Sequence, residues 1–215
     1  MTHKVLSHLE LLIKRYPELS DCRPDIESAY EIISKCYEDG KKLLVAGNGG
    51  SAADAEHIVG ELMKGFKLKR RCPPEFAQKL IQIDEEAGKH LVNCIQCGLP
   101  AIALNGHPAL STAFNNDVDA TVGFGQQVYG YGKPGDVLFA ISTSGNSKNI
   151  AYACIIAKAL DMKIIGLTGK NKNMFSKLSD IAICVPQTET YMVQELHLPV
   201  YHCLCLMLEE RFFGI

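Results

Sequence analysis

From about residue 41 the chain alternates short apolar runs with loops and then with stretches of helical spacing. The apolar runs cover residues 43–46, 101–104, 137–141, 164–167 and 181–185. None alternates polar with apolar positions, as a strand with one wet face does. Such runs suit strands buried on both faces of a parallel sheet. Helices are expected over 51–65, 146–160 and 190–213. Strand–helix–strand repetition predicts an α/β fold, a doubly wound five-stranded parallel sheet flanked by helices. Ahead of the first strand, Val5, Leu9, Leu12, Ile13 and Tyr16 recur at helical spacing. A second helix is expected from about Pro24, tolerated in a first turn, to Tyr37, with Gly40 stopping it. Residues 1–40 thus read as a helical arm of the same domain, suited equally to a subunit contact or to packing on its own sheet. Residues 41–215 form the main domain. Its least regular part, 67–98, opens with basic residues and Pro73-Pro74, then turns helical, and reads as an insertion.

Composition narrows the function classes. The 215 residues are 47% hydrophobic, enough for an ordinary core, and 22 Lys and Arg against 24 Asp and Glu leave a formal charge of −2. With no basic excess, nucleic acid is not an expected partner. Any anion site must be local. No apolar run approaches a membrane span, and residues 1–4 lead into an amphipathic stretch rather than a signal peptide. Nine cysteines, an odd number, are read as free thiols in a reducing cytoplasm.

Two strand ends carry candidate chemistry. Strand 43–46 runs into Gly47-Asn48-Gly49-Gly50-Ser51, and strand 137–141 into Ser142-Thr143-Ser144-Gly145-Asn146-Ser147; a helix follows each. Small residues let backbone approach an anion, hydroxyls add donors, and the helix N-terminus offers unpaired N–H groups. Turns and N-caps use the same residues, but two such loops at strand ends favour a phosphate site, the second above all. Neither loop is a P-loop or a dinucleotide fingerprint, for lack of the Gly-Lys-Ser/Thr ending and of the third glycine.

On the first of these helices His57 and Glu61 stand four apart on one face. On the last helix Gln194 and His202 stand eight apart. Two imidazoles, a carboxylate and an amide oxygen suit Zn²⁺, or an acid and a base without metal. A solvated surface pair and a core histidine are the plain alternatives. Glu195 and His197 compete for the same role, and Pro199 predicts a kink near Glu195. Cys94 and Cys97, with Cys72 or His90, suggest a structural zinc knuckle less strongly than ordinary thiols, because a second CxxC is absent. Cys203 and Cys205 read as core.

Together these residues resemble a known family. Residues 47–57 with Glu61-Leu62, the run 141–149, Asn116-Asp117, and Gln194-Glu195-Leu196-His197 with His202 are similar to the motifs of phosphoheptose (sedoheptulose 7-phosphate) isomerases, in the sugar isomerase (SIS) domain superfamily. The resemblance covers about residues 40–213. It implies a SIS-type fold and one Zn²⁺ per subunit at His57, Glu61, Gln194 and His202. Glu61 would be the base and His202 the acid. Ser142, Thr143, Ser144 and Ser147 would hold phosphate, and Asn48, Gly49, Gly50, Asn116, Asp117, Glu61 and Gln194 would line the sugar site. It further implies a homotetramer with active sites between subunits. The related DiaA-type binding proteins lose the catalytic carboxylate and histidine, both present here. The long 67–98 stretch departs from the family pattern and leaves another sugar phosphate open as substrate.

Overall fold

The computed structural model describes residues 1–171 and 173–214. Five parallel strands, β1 (Leu43–Gly47), β2 (Ala101–Ala103), β3 (Val137–Ile141), β4 (Lys163–Thr168) and β5 (Ile181–Cys184), form one sheet in the order β2-β1-β3-β4-β5. Successive side chains of a strand point to opposite faces, and here each face has its own core. Leu43, Val45, Val137, Phe139, Ile141, Ile165 and Leu167 join the cluster on one face. Leu44, Ala46, Leu138, Ala140 and Ile164 join the cluster on the other. Burial on both faces is why the strands carry no polar alternation.

The first face is covered by α1 (His3–Arg15), α2 (Arg23–Glu38), α3 (Gly50–Met63) and α10 (Thr190–Phe213). The N-terminal arm therefore packs on its own domain, with Val5, Leu9, Leu12, Ile26 and Ile33 inside that core. A 3₁₀ segment, Pro17–Cys22, makes the break between its two helices. The second face is covered by α7 (Gly123–Tyr131), α8 (Lys148–Ala159) and the short α9 (Phe175–Leu178).

Between α3 and β2 the insertion forms a helical hairpin, α4 (Pro74–Ile83) and α5 (Glu85–Cys94). The two helices meet at Gly88, the one buried residue of the pair, where a Cβ would strike the Leu80 carbonyl. An antiparallel bridge between Arg71 and Gln96 closes the hairpin's base. After β2 come α6 (Pro108–Phe114) and a π turn, Asn115–Asp119. The apolar periodicity had not foretold α6 or α7: α6 buries no residue, and α7 carries three glycines in nine positions. Pro199 lies inside α10 without ending it.

Chain order fixes where a ligand can enter. From β1 the chain crosses to β2 on one side, while β3 lies on the other. A doubly wound sheet opens a crevice at such a switch point, beyond the carboxyl ends of the strands. Gly47 pairs with Ile141, so β1 and β3 end level, and the two candidate loops leave the sheet side by side.

Candidate active site

The two loops are joined by reciprocal amide hydrogen bonds: Asn48 Nδ2 donates to Asn149 Oδ1 and Asn149 Nδ2 to Asn48 Oδ1, both at 2.9 Å. Each loop turns on a glycine in left-handed conformation, Gly49 (φ 55°) and Gly145 (φ 63°), which other residues rarely adopt. At Gly145 a side chain would also collide with the Asn173 amide. In the second loop Ser142 Oγ and Ser147 Oγ share a hydrogen bond of 3.0 Å, and Ser144 Oγ accepts from the Asn146 N–H. The main-chain N–H groups of Thr143, Ser144 and Ser147 donate to no protein acceptor among the described residues. Ser147 caps α8 with no side-chain cap bond. Free N–H groups, hydroxyls and the positive end of a 12-residue helix together make an anion cradle.

A second set of polar groups lies along the seam where α3 and α10 run side by side. At the start of α3, Gly50 has no room for a Cβ because the Gln194 carboxamide lies over it. Further along, Tyr201 Oη stands 3.2 Å from Asp54 Oδ1 and 3.1 Å from His57 Nδ1. Next, His57 Nε2 lies 3.2 Å from Glu61 Oε1 and 3.5 Å from His202 Nε2. Lys64 Nζ reaches Glu61 Oε2 at 3.1 Å. Burial and then the neighbouring His57 hold the His202 pKa below its ordinary value, so the ring is neutral near pH 7 and able to take or give a proton.

The end of the seam is braced from inside. Arg70 and Glu209 form a fully buried ion pair at 2.9 Å. The Glu209 carboxylate also accepts the N–H groups of Phe66, Lys67 and Leu68. Burial alone would raise the Glu209 pKa, but those bonds and Arg70 bring it below the usual value. The Arg70 guanidinium donates onward to the carbonyls of Leu62 and Glu61, capping the C-terminal turn of α3. Phe66, held in this way, packs at a tilt against the His202 ring with centroids 5.4 Å apart. The brace thus fixes the backbone of one candidate catalytic residue and the ring of the other.

A SIS domain family model matches residues 18–91 and 78–169. The phosphoheptose isomerase of Geotalea daltonii is 38% identical over 211 residues, 98% of this chain and 95% of that one. That of Shewanella denitrificans is 39% identical over 191 residues, 87% and 84%. The chain belongs to the phosphoheptose isomerase family. Solved structures of the family agree. The Francisella tularensis enzyme superposes with a TM-score of 0.72 at 31% identity, over 98% of this chain and all of that one. GmhA from Neisseria gonorrhoeae gives 0.73 at 29%, over 96% and 97%.

As in the family motif, His57, Glu61 and His202 come together here. Gln194 sits apart from them, beside the first loop: eight residues of helix are ~12 Å. Asn116 and Asp117 lie on the exposed π turn beyond β2, where Asn116 Nδ2 donates to Asp117 Oδ1. Glu195 is exposed. His197 is fully buried, and among the described residues neither ring nitrogen makes a well-formed hydrogen bond; burial pushes its pKa down to about 4 against a weaker opposing pull from the Thr168 backbone. His197 is thus a core histidine outside the His57–Glu61–His202 group. Cys94 meets His90 at 3.7 Å, Cys97 bonds to the Arg71 carbonyl, and Cys203 and Cys205 are buried. Among the described residues no three His, Cys, Asp or Glu side chains close into a metal cluster, in the hairpin or on the seam.

Two imidazole nitrogens and a carboxylate are nonetheless donors of the kind that Zn²⁺ takes. Adjacent donors in a tetrahedral zinc shell stand about 3.3–3.4 Å apart for bonds of about 2.0–2.1 Å. The two contacts of His57 Nε2, at 3.2 and 3.5 Å, bracket that figure. They form an open row with His57 in the middle.

Sequence reasoning passed over Asp54, Tyr201, Arg70 and Glu209. Asp54 was within reach, since it precedes His57 by three and Glu61 by seven on the same face. For the Arg70–Glu209 pair, 139 residues apart, the sequence carried no signal.

Proposed function

We propose that this chain interconverts sedoheptulose 7-phosphate and D-glycero-D-manno-heptose 7-phosphate. The observation that carries the reading is the row Glu61–His57–His202, which joins a carboxylate base to a neutral imidazole in a chain of isomerase lineage. Glu61 removes a proton from C1 of the ketose while His202 moves the proton between the C2 and C1 oxygens. The enediol that results takes the carbon-bound proton back at C2, which leaves an aldehyde at C1. No atom is gained or lost. Positioned acid and base groups each give on the order of 10²–10⁴-fold.

The 142–147 loop holds the phosphate through Ser142, Thr143, Ser144 and Ser147, with Asn48, Gly49, Gly50, Asn116, Asp117 and Gln194 around the sugar. His57, Glu61 and His202 would hold one Zn²⁺, which supplies Lewis acidity toward the developing enediolate oxygen; Gln194, the fourth ligand that the motif resemblance implies, lies over Gly50 beside the sugar instead. Binding metal would make Glu61 a weaker base, so the carboxylate would take the proton more readily when free of the metal.

The reading includes assembly. Gly50 opens α3 beside the loops, and Glu61 lies eleven residues on, ~16 Å along the helix axis. A seven-carbon chain spans only roughly 8 Å from C1 to C7 at ordinary bond lengths. A substrate gripped by the 142–147 loop therefore reaches a Glu61–His202 row more readily from a second subunit than from its own. This supports sites shared between subunits, as in the homotetramer that the motif resemblance implies. We place the protein in the cytoplasm with its sugar-phosphate substrates; among the described residues no helix is long and apolar enough to cross a membrane.

The test is incubation with a panel of ketose phosphates and chromatographic separation of ketose from aldose. Conversion of the seven-carbon substrate in preference to five- and six-carbon ones is expected. Binding without turnover would favour a DiaA-like role, and preference for a shorter sugar would reassign the substrate.

A further inference from the structure

Tyr201 is one residue from His202 and takes no part in the reaction above. Its hydroxyl lies between two groups of α3, Asp54 Oδ1 at 3.2 Å and His57 Nδ1 at 3.1 Å. A phenol has one hydrogen to give. Tyr201 Oη donates to Asp54 Oδ1, and an aspartate carboxylate can only accept. The Tyr201 hydrogen is then committed to Asp54, and its oxygen is left as an acceptor for His57.

We propose that Tyr201 and Asp54 are positioning residues that place the hydrogen of His57 on Nδ1, leaving the Nε2 lone pair aimed at Glu61 and His202. Without the pair, His57 can carry its hydrogen on Nε2 and close the row with a simple hydrogen bond to Glu61. That bond would occupy the base and remove a donor from any cation. With the pair, Nε2 offers only a lone pair. The arrangement needs a donor and acceptor that face each other across two helices, and α3 and α10 provide them. Tyr201 is 1% exposed and its ring packs in the core, so the oxygen has little freedom to turn elsewhere. The same two contacts hold the ring plane: the His57 and Tyr201 rings meet edge-on, with centroids 5.6 Å apart.

This inference rests on the role given above to the Glu61–His57–His202 row, but its first readout does not require turnover. In the metal-free full-length protein, ¹⁵N chemical shifts of His57 report which ring nitrogen carries hydrogen. The wild type is expected to show the Nδ1–H form, and Tyr201→Phe, which keeps the ring and its packing, a mixture or the Nε2–H form. Zinc affinity by competition with a chelator should fall about 10–100-fold in Tyr201→Phe, the usual effect of losing a partner behind a metal ligand. In the zinc-loaded enzyme kcat should fall by a similar factor, with KM for the sugar phosphate held within about threefold because the phosphate loop is untouched. Asp54→Asn is the second variant, for use if Tyr201→Phe does not fold. Its amide can present either hydrogen or oxygen to Tyr201, so the same shifts are expected in smaller measure. A wild type with Nε2–H, or variants with unchanged tautomer and zinc affinity, would overturn the proposal. Failure of the wild type to turn over any sugar phosphate while the tautomer result holds would count against the isomerase reading instead.

Discussion

The 142–147 loop and the far end of the α3–α10 seam are built in opposite ways. The loop keeps polar groups unspent: main-chain N–H groups with no protein acceptor, and hydroxyls that bond only to neighbours in the loop. The seam spends nearly everything. Glu209 uses both oxygens on four donors, Arg70 caps α3, and Tyr201 is shared between Asp54 and His57. The difference follows from the tasks. An anion site works by offering donors to what is not yet there. A proton-transfer site works by holding its groups still, since a misplacement of about 1 Å can cost on the order of 100-fold in rate. A buried brace is a means to that end, at the risk that loss of one partner strands the other.

The sharpest way to break this comparison is at the base. Glu61→Gln should lower kcat by about 10²–10⁴-fold while sugar-phosphate binding by calorimetry persists; near-normal turnover would remove Glu61 from the chemistry. Next is the brace. Glu209→Ala leaves Arg70 charged and buried, and should cost about 3–5 kcal/mol in urea unfolding. A loss under about 1 kcal/mol would mean that the pair is ornamental.

His197 gives the third test, in the core beneath both regions. Its ordinary pKa is 6.5 and burial holds it at about 4. Between those values the unfolded chain binds a proton that the native one does not. Stability should therefore fall as pH drops from 6.5 to 4, by up to about 3 kcal/mol from this residue. His197→Gln should flatten that slope, as read by unfolding at several pH values. The smallest effect belongs to the loop. Ser147→Ala removes one hydroxyl from a charged ligand, for about 1.5–3 kcal/mol of binding. KM should rise accordingly and kcat stay within about threefold; an unchanged KM would move the phosphate elsewhere.

The same contrast explains what the sequence made legible. Doubly buried strands leave unbroken apolar runs, so all five were found within a residue or so of their ends. The loops announced themselves through local chemistry, small residues and hydroxyls between a strand and a helix. His57, Glu61 and His202 were readable because helical spacing and a family motif coincide there. The brace was not readable. Arg70 lies in a run of basic residues that looks like solvated surface, and nothing near Glu209 marks it as buried. Such a pair is defined only by long-range packing. The hairpin α4–α5 was anticipated as an inserted helical stretch. Its two-helix form turns on Gly88, which could equally have been a helix breaker.

The measurement that bears most directly on the Glu61–His57–His202 row is the reaction of sedoheptulose 7-phosphate with the wild-type protein in D₂O, followed by NMR. A base that lifts a proton to form an enediol exchanges part of it with solvent, so aldose heptose 7-phosphate should appear with deuterium at C2. Aldose formed with no deuterium at all would point to direct hydride transfer between the carbons. That result, or the absence of any aldose, would contradict the account.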